Sequence, residues 1–260
     1  MKKTIKKIFF GKKAFQPLFR RLFDISMEGM NIGTGGRPQS ENGEFFTARY
    51  VLSQQKKLPV LPIVFDAGAQ GGDYIKMILD FTKGESKIYA FEPCQKDYEP
   101  LQKTYGQQAT IIQSALGNTD GDAMLYGRKD GRGLCSLYKP NEEFSENEKI
   151  KIQTIDNFCA SHSISYITLL KLDVEGNELD CLKGAKRLLP NIAFIQFEFS
   201  SSSRDSRTYF RDIFNFLSDY KIYRILKNGF FEIKNPEKIT ELLFTTNYLA
   251  VKNKPSLKNE

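Results

Sequence analysis

The segment Lys171-Leu172-Asp173-Val174-Glu175-Gly176-Asn177-Glu178 follows an apolar run that begins at Ile167, and it places three acids within six residues. A helical pattern starts directly afterwards, with Leu179, Leu182, Ala185 and Leu188/Leu189 on one face. This reads as a buried strand that delivers carboxylates to its C-terminal end. In an open α/β sheet that end is where ligands bind, so the segment marks an architecture and a candidate site together.

Working outward, the same alternation recurs. Val60 through Asp66 reads as a buried first strand, Gly68 to Gly72 as a tight turn, and 73–83 as a helix. Lys87–Phe91 is a second strand ending at Glu92-Pro93, 95–105 a helix, and Ala109–Ala115 a third strand. Such spacing indicates βαβ units and a parallel sheet. Residues 116–154 read as a β excursion, with strands at 123–126 and 149–154 and a loop marked by Gly127, Gly131 and Gly133. A helix at 155–161 leads to the strand 166–172, then a helix at 177–189 and a strand at 192–199. A polar loop at 200–207, a helix at 206–219 and strands at 221–226, 230–233 and 243–251 complete the pattern. Residues 24–45, rich in glycine, read as a loop or lid leading into a helix at 44–56. The chain divides into a basic amphipathic arm (1–23), a lid and helical extension (24–58), an α/β domain (59–252) and a tail (253–260).

Composition excludes several classes. The 260 residues are 40% hydrophobic and 27% charged, which is ordinary for a globular chain. No run approaches the ~18 apolar residues of a membrane span. The start resembles the basic region of a signal peptide, but Lys12 and Lys13 cut its apolar part short at Ile8–Phe10, which argues against secretion. Cys94, Cys135, Cys159 and Cys181 form no CxxC pair and read as thiols of a reducing cytoplasm rather than zinc ligands.

Charge is placed unevenly. Of the 38 basic residues, eight lie in residues 1–21 without any acid, leaving 30 against 31 acids in the remainder. Ile5, Ile8/Phe9, Phe15, Leu18/Phe19 and Leu22/Phe23 recur at roughly helical spacing, with Gly11 and Pro17 interrupting. Such an arm suits peripheral contact with the anionic inner face of a membrane, or else packs on the domain with its lysines solvated; both readings stand. Nucleic acid needs a broad basic face, which the body lacks.

Asp66-Ala67-Gly68-Ala69-Gln70-Gly71-Gly72 lies between a strand and a helix, where glycines permit a sharp turn and close approach of a ligand. Glu92 ends the next strand, where a carboxylate can accept from two ribose hydroxyls. NAD wants G-x-G-x-x-G, which the G-x-x-G-G here fits poorly. The acid at Asp66 suits S-adenosylmethionine better, since that cofactor has no phosphate and carries an ammonium.

Four blocks now resemble one family. They are Asp-Ala-Gly-Ala-x-x-Gly-Asp-Tyr (66–74), Phe-Glu-Pro (91–93), Ala-Leu-Gly-Asn (115–118) and Leu-Lys-Leu-Asp-Val-Glu-Gly-Asn-Glu-Leu…Leu-Lys-Gly-Ala (170–185). In this order, over about 60–200, they are similar to the FkbM family of S-adenosylmethionine-dependent methyltransferases; Cys135-Ser136-Leu137 resembles a further block of that family. The resemblance implies a class I methyltransferase (Rossmann-like) sheet of seven strands with helices on both faces and its last strand antiparallel. It also implies O-methylation of sugars or hydroxylated small molecules. Carried onto this chain, Asp66, Gly68, Ala69 and Gly72 form the methionine-side turn, lined by Gln70, Asp73 and Tyr74. Glu92 takes the ribose, Pro93 flanks the adenine, Gln113 or Ser114 meets the adenine edge, and Asp173 lies below the methionine end. Gln70-Gly71 stands where the family has Asn and an apolar residue, which bears on side-chain contacts at 70 rather than on the turn.

An alcohol acceptor is a weak nucleophile and needs a base, or a divalent metal to lower its pKa. Asp173 and Glu198, at the ends of strands expected to be neighbours, are the candidate catalytic acids, with Glu175 beside them. Asp173 and Glu198 would hold Mg²⁺ if a metal is used. Glu178 reads as a helix-start acid. Lys171 shares a strand face with Asp173. His162, the one histidine, falls in a surface turn, and Arg204 and Arg207 could grip an anionic acceptor or simply be solvated. The expectation is a cytoplasmic O-methyltransferase acting on a small-molecule or lipid-linked sugar. A nicotinamide-dependent oxidoreductase and a non-catalytic membrane adaptor are the other readings.

Overall fold

The computed structural model describes residues 9–55, 60–128, 135–139 and 143–253. The start of the arm (1–8), Gly131 and Gly133 of the predicted loop, and the tail from 254 lie outside the described residues.

Helix α1 (Gln16–Gly29) comes first, after a single 3₁₀ turn at Lys13–Phe15. Pro17 sits in the first turn of α1, where a missing N–H costs nothing, so it opens the helix instead of interrupting it. The helix also runs through 24–29, which the sequence reading assigned to a lid. Helices α2 (Gln39–Asn42) and α3 (Glu44–Gln55) complete the extension.

In the α/β domain, β1 (Ile63–Ala67), α4 (Asp73–Thr82), β2 (Lys87–Phe91), α5 (Gln95–Tyr105) and β3 (Thr110–Ile112) alternate as expected. β1 begins after Pro62, which has no N–H for a ladder. The predicted third strand splits: Ala115–Leu116 is a separate strand, β4, in a second sheet. With β5 (Gly121–Arg128), β6 (Cys135–Ser136) and β7 (Phe144–Gln153) it forms a four-stranded insert in the order β4-β7-β5-β6. Then follow α6 (Ile155–Ser161), β8 (Ile167–Leu172), α7 (Glu178–Lys183), β9 (Ile192–Phe199), α8 (Ser202–Asp205) and α9 (Phe210–Phe216). α7 stops six residues short of the predicted end, at its C-cap Gly184, which packs directly on the Gly117 backbone. β10 (Tyr220–Leu226), β11 (Gly229–Ile233) and β12 (Thr246–Lys252) close the fold.

The large sheet has eight strands, ordered β11-β10-β12-β9-β8-β1-β2-β3, where seven were expected. The additional strand, β11, exists because Leu226 pairs with Gly229 across a two-residue turn, making a hairpin on the outer edge. β12 inserts antiparallel between β9 and β10, so the expected antiparallel last strand is present. Without β11, the order and directions are those of the class I methyltransferase sheet.

Each face of the sheet has its own core. Phe65, Leu170, Leu172, Ile195 and Phe197 pack with Phe158 of α6, Leu182 of α7 and Phe210 of α9. Val64 and Leu169 pack on the other face with Val51 of α3, Ile75 and Ile78 of α4 and Leu101 of α5. A fully buried side chain of this size stabilises by about 1.5–3 kcal/mol. The apolar faces hold the strands, and Glu92, Asp173 and Glu198 lie at or just past their C-terminal ends.

Candidate active site

Register brings the two halves of the site together. β1 lies between β2 and β8, with Ala67 level with Phe91 and with Leu172. The residues just past these positions are Gly68, Glu92 and Asp173. Gly68 has φ +80, and a Cβ there would overlap the Asp173 carbonyl oxygen, so only glycine fits between the two strand ends.

A cavity of about 300 Å³ opens at this end of the sheet. Gly68, Gln70, Glu92 and Pro93 line one wall, Asp173, Glu175 and Asn177 another, and Leu116, Leu125 and Leu137 an apolar end near Ser114. Glu92 is buried, and its two carboxylate oxygens accept from the Gln70 and Cys94 backbone N–H groups at 2.9 and 3.0 Å. Burial outweighs these bonds and pushes Glu92 up to about 7. Ser114 Oγ accepts from Gln153 Nε2. Gln113 is exposed and lines a separate shallow recess beside Asp120 and Asp122. The turn residues Ala69 and Gly72 and the first residue of α4, Asp73, are not among the cavity walls; Ala69 belongs to the core, and Gly72 is the N-cap of α4.

A buried polar row crosses the sheet beneath the turn. Asp66, Lys171 and Gln196 sit side by side on β1, β8 and β9. Lys171 Nζ lies 3.1 Å from Asp66 Oδ1 and 3.5 Å from Asp173 Oδ2. No donor other than Lys171 reaches either Asp66 oxygen among the described residues, so the Lys171 ammonium is its one partner. Burial raises Asp66, and Lys171 works against that; burial would lower Lys171, but Asp66, Asp173 and Glu44 raise it above the usual lysine range. Tyr74 is part of this row rather than of the cavity wall: its hydroxyl donates to Gln196 Oε1 at 3.0 Å. Gln196 Nε2 in turn donates to Glu44 Oε1 at 2.8 Å. Taking ions out of water costs several kcal/mol each, and apolar residues would stabilise such positions as well or better. The row therefore serves the strand ends it supports more than the stability of the sheet.

The acids themselves converge. Leu172 pairs with Phe197, which puts Asp173 and Glu198 level on neighbouring strands. One carboxylate oxygen from each of Asp173, Glu175 and Glu198 lies within 4.8 Å of the other two. Glu175 Oε2 accepts from Ser202 Oγ at 2.6 Å, and its φ of +53 turns the chain back toward α7. Burial, then the charges of Asp173, Glu175 and Glu178, raise Glu198 well above the usual carboxylate range, with Lys171 opposing; burial also raises Glu175. Glu178 faces inward from the start of α7. Its Oε1 accepts from the Val174 and Gly176 N–H groups and closes the turn that carries Glu175. Burial pushes it up to about 8.

Other candidates lie elsewhere. His162 stacks on Phe158 and precedes β8, at the opposite end of the strand from Asp173. Arg204 pairs with Asp205, and Arg207 is exposed. Sequence reasoning passed over Glu44 and Gln196, and it missed the closeness of Cys94 and Cys135, whose sulfurs lie 3.3 Å apart at the cavity edge. The insert is tied to the acids as well: Ser136 Oγ donates to the Glu175 carbonyl, and the Tyr138 hydroxyl to Asn177 Oδ1.

Residues 66–225 match the methyltransferase FkbM domain. The chain belongs to the FkbM family of S-adenosylmethionine-dependent methyltransferases. This decides against the nicotinamide reading. A curated relative, the 2-O-methyltransferase NoeI of Sinorhizobium fredii, is 24% identical over 54% of this chain. The match spans 63% of that relative's length. Two solved structures are distantly similar to this FkbM-family chain. The plantazolicin methyltransferase BpumL, in complex with SAH, is 11% identical with a TM-score of 0.47, covering 91% of each chain. The magnesium protoporphyrin IX methyltransferase of Synechocystis PCC 6803, with bound SAM, is 13% identical with a TM-score of 0.40, covering 81% of this chain and 80% of its own. Among the described residues no helix is long and apolar enough to cross a membrane.

Proposed function

We propose that this FkbM-family methyltransferase methylates a hydroxyl group, of a sugar in a glycan, glycolipid or related small molecule, with the Asp173–Glu175–Glu198 cluster handling the acceptor's proton. The observation that carries this reading is the meeting of those three carboxylates beside the cavity wall formed by Gly68 and Asp173. The name of the curated relative, a 2-O-methyltransferase, supports oxygen as the acceptor atom.

The residues fit S-adenosylmethionine. Each Glu92 oxygen spends one lone pair on a backbone N–H and keeps another for a ribose hydroxyl. Leu116, Leu125 and Leu137 offer an apolar seat for the base, with Pro93 at its flank and Ser114 at its edge. Gly68 lets a ligand lie directly on the backbone, and Asp173 supplies negative charge for an ammonium. The cofactor brings an activated methyl group; the protein's part is alignment and proton transfer. An acceptor oxygen taking the methyl group, with the carbon–sulfur bond broken and the cofactor leaving as its neutral thioether, would pass its proton to the carboxylate cluster. Glu198, level with Asp173 on the neighbouring strand and within the same carboxylate cluster, is the group we assign to take it. Lys171 pairs with Asp173 and holds it in place.

The same three oxygens also form a hard donor set, and Mg²⁺ held by Asp173 and Glu198 is the alternative route to an activated hydroxyl. Labelled methyl transfer from the cofactor into fractionated lysate, with mass analysis of the product, tests the reading. Transfer onto a hydroxyl supports it, and transfer only to nitrogen or carbon would sink it. Loss of activity in a chelator, restored by Mg²⁺, would select the metal route.

A further inference from the structure

Helix α1 turns its most apolar stripe away from the protein. Leu18, Leu22 and Ile25 recur at helical spacing and are 51%, 49% and 57% exposed. Met27, on the other side of the helix, is its one buried residue among those described. A surface helix of a globular domain does the reverse, facing such a stripe toward the core. The patch extends onto the body: Phe23 lies 6.2 Å from Phe244, ring to ring, and Leu243 and Phe244 are themselves exposed.

At the N-terminal end of this stripe the charge has one sign. Lys12, Lys13, Arg20 and Arg21 are all exposed, and residues 1–21 contain eight basic residues and no acid. The acids of α1, Asp24 and Glu28, lie in its C-terminal half, where Glu28 is paired with Arg37. Exposed leucine, isoleucine and phenylalanine among unopposed lysine and arginine complement an anionic bilayer, whose interior takes the apolar side chains and whose headgroups take the cations.

The patch also adjoins the site. Gly33 packs on the Phe244 ring, and two residues later Gly35 donates its N–H to the Thr245 carbonyl. A Cβ on Gly35 would stand 3.1 Å from Glu198 Oε2. One short segment thus touches the exposed aromatic on one side and the carboxylate cluster on the other.

We propose that α1, with Leu243 and Phe244, is a docking surface for an anionic lipid bilayer, and that docking sets the Glu198 side of the site against the membrane surface. The second half of this statement, a membrane-borne acceptor, rests on the function proposed above; the docking itself does not.

Co-sedimentation of the full chain with phosphatidylglycerol vesicles, and with phosphatidylcholine vesicles for comparison, is the test. Binding to the anionic vesicles is expected, and weakening of at least about tenfold on removing the anionic lipid or on Arg20→Glu with Arg21→Glu. Leu22→Glu with Ile25→Glu should also abolish it, while S-adenosylhomocysteine binding by calorimetry stays intact. Wild-type binding by the Leu22/Ile25 double variant would overturn the proposal. So would a wild-type chain that ignores both vesicles but self-associates through this face, becoming monomeric in the double variant on gel filtration. Loss of S-adenosylhomocysteine binding in the wild type would count against the enzymatic reading and leave the docking result standing.

Discussion

Glu44 Oε1 accepts a hydrogen bond from Gln196 Nε2 across 152 residues of chain, tying the first residue of α3 to the strand that carries Glu198. The N-terminal extension is therefore structurally continuous with the candidate catalytic acids. Glu44→Ala leaves the buried Gln196 amide without its acceptor and should cost about 1–3 kcal/mol in a urea melt. Glu44→Gln keeps one acceptor and should cost less. An unchanged melt for Glu44→Ala would mean that the bond contributes nothing.

Glu198→Gln removes the proposed proton acceptor while keeping shape. It should lower kcat by roughly 10²–10⁴ and leave S-adenosylhomocysteine affinity within about twofold. Full activity in this variant would move the proton-accepting role to Asp173 or Glu175.

The burial of Glu92 should give cofactor binding a pH dependence if it holds the ribose as proposed. With its pKa at about 7, Glu92 is protonated below neutrality and then cannot accept from both ribose hydroxyls. Binding to the ionised form should tighten as pH rises, by about tenfold between roughly pH 6 and pH 8 in calorimetry. Glu92→Gln should bind weakly and without this pH dependence. A wild-type affinity that is flat across the range would detach Glu92 from the ribose.

Glu178 acts on stability instead. Its folded pKa, about 8, lies above the ordinary value of 4.5, so the folded chain holds a proton that the unfolded chain releases. The stability this supplies is complete below about pH 4.5 and lost as pH rises through about 8. Glu178→Gln keeps an acceptor for the Val174 and Gly176 N–H groups without a titrating proton. Its unfolding free energy, from urea melts, should fall less between about pH 5 and pH 8, by a difference on the order of a few kcal/mol. Parallel curves for the two proteins would contradict this.

Local patterns in the chain marked the strand ends well. The apolar runs before Asp66, Glu92 and Asp173 are long enough to be buried strands, and parallel pairing then makes their ends meet. Glu198 could be added because consecutive parallel strands tend to be neighbours. Glu44 was not visible, since an acid opening a helix is already accounted for by the helix dipole; only the packing of α3 on the sheet shows that it reaches Gln196. Tyr74 and Gln113 show the limit of carrying roles by position. The amphipathic turn of α4 sends Tyr74 into the core, and the split of the third strand leaves Gln113 on the outer side of the insert. Cys94 and Cys135 meet only because the insert folds back over β2's end.

The contact at Gly68 has a wider consequence. Because the Asp173 carbonyl occupies the space a side chain would need, the proposed methyl-donor seat and the proposed acceptor-side acid are built on one close-packed frame. Their spacing is a property of the sheet, with little freedom to be retuned by substitution. Diversity in what such a frame modifies has to come from the pieces laid over it, here the extension that carries Glu44 and the four-stranded insert that carries Ser136. Exchanging those two pieces between relatives should carry acceptor choice with them while the donor seat stays the same.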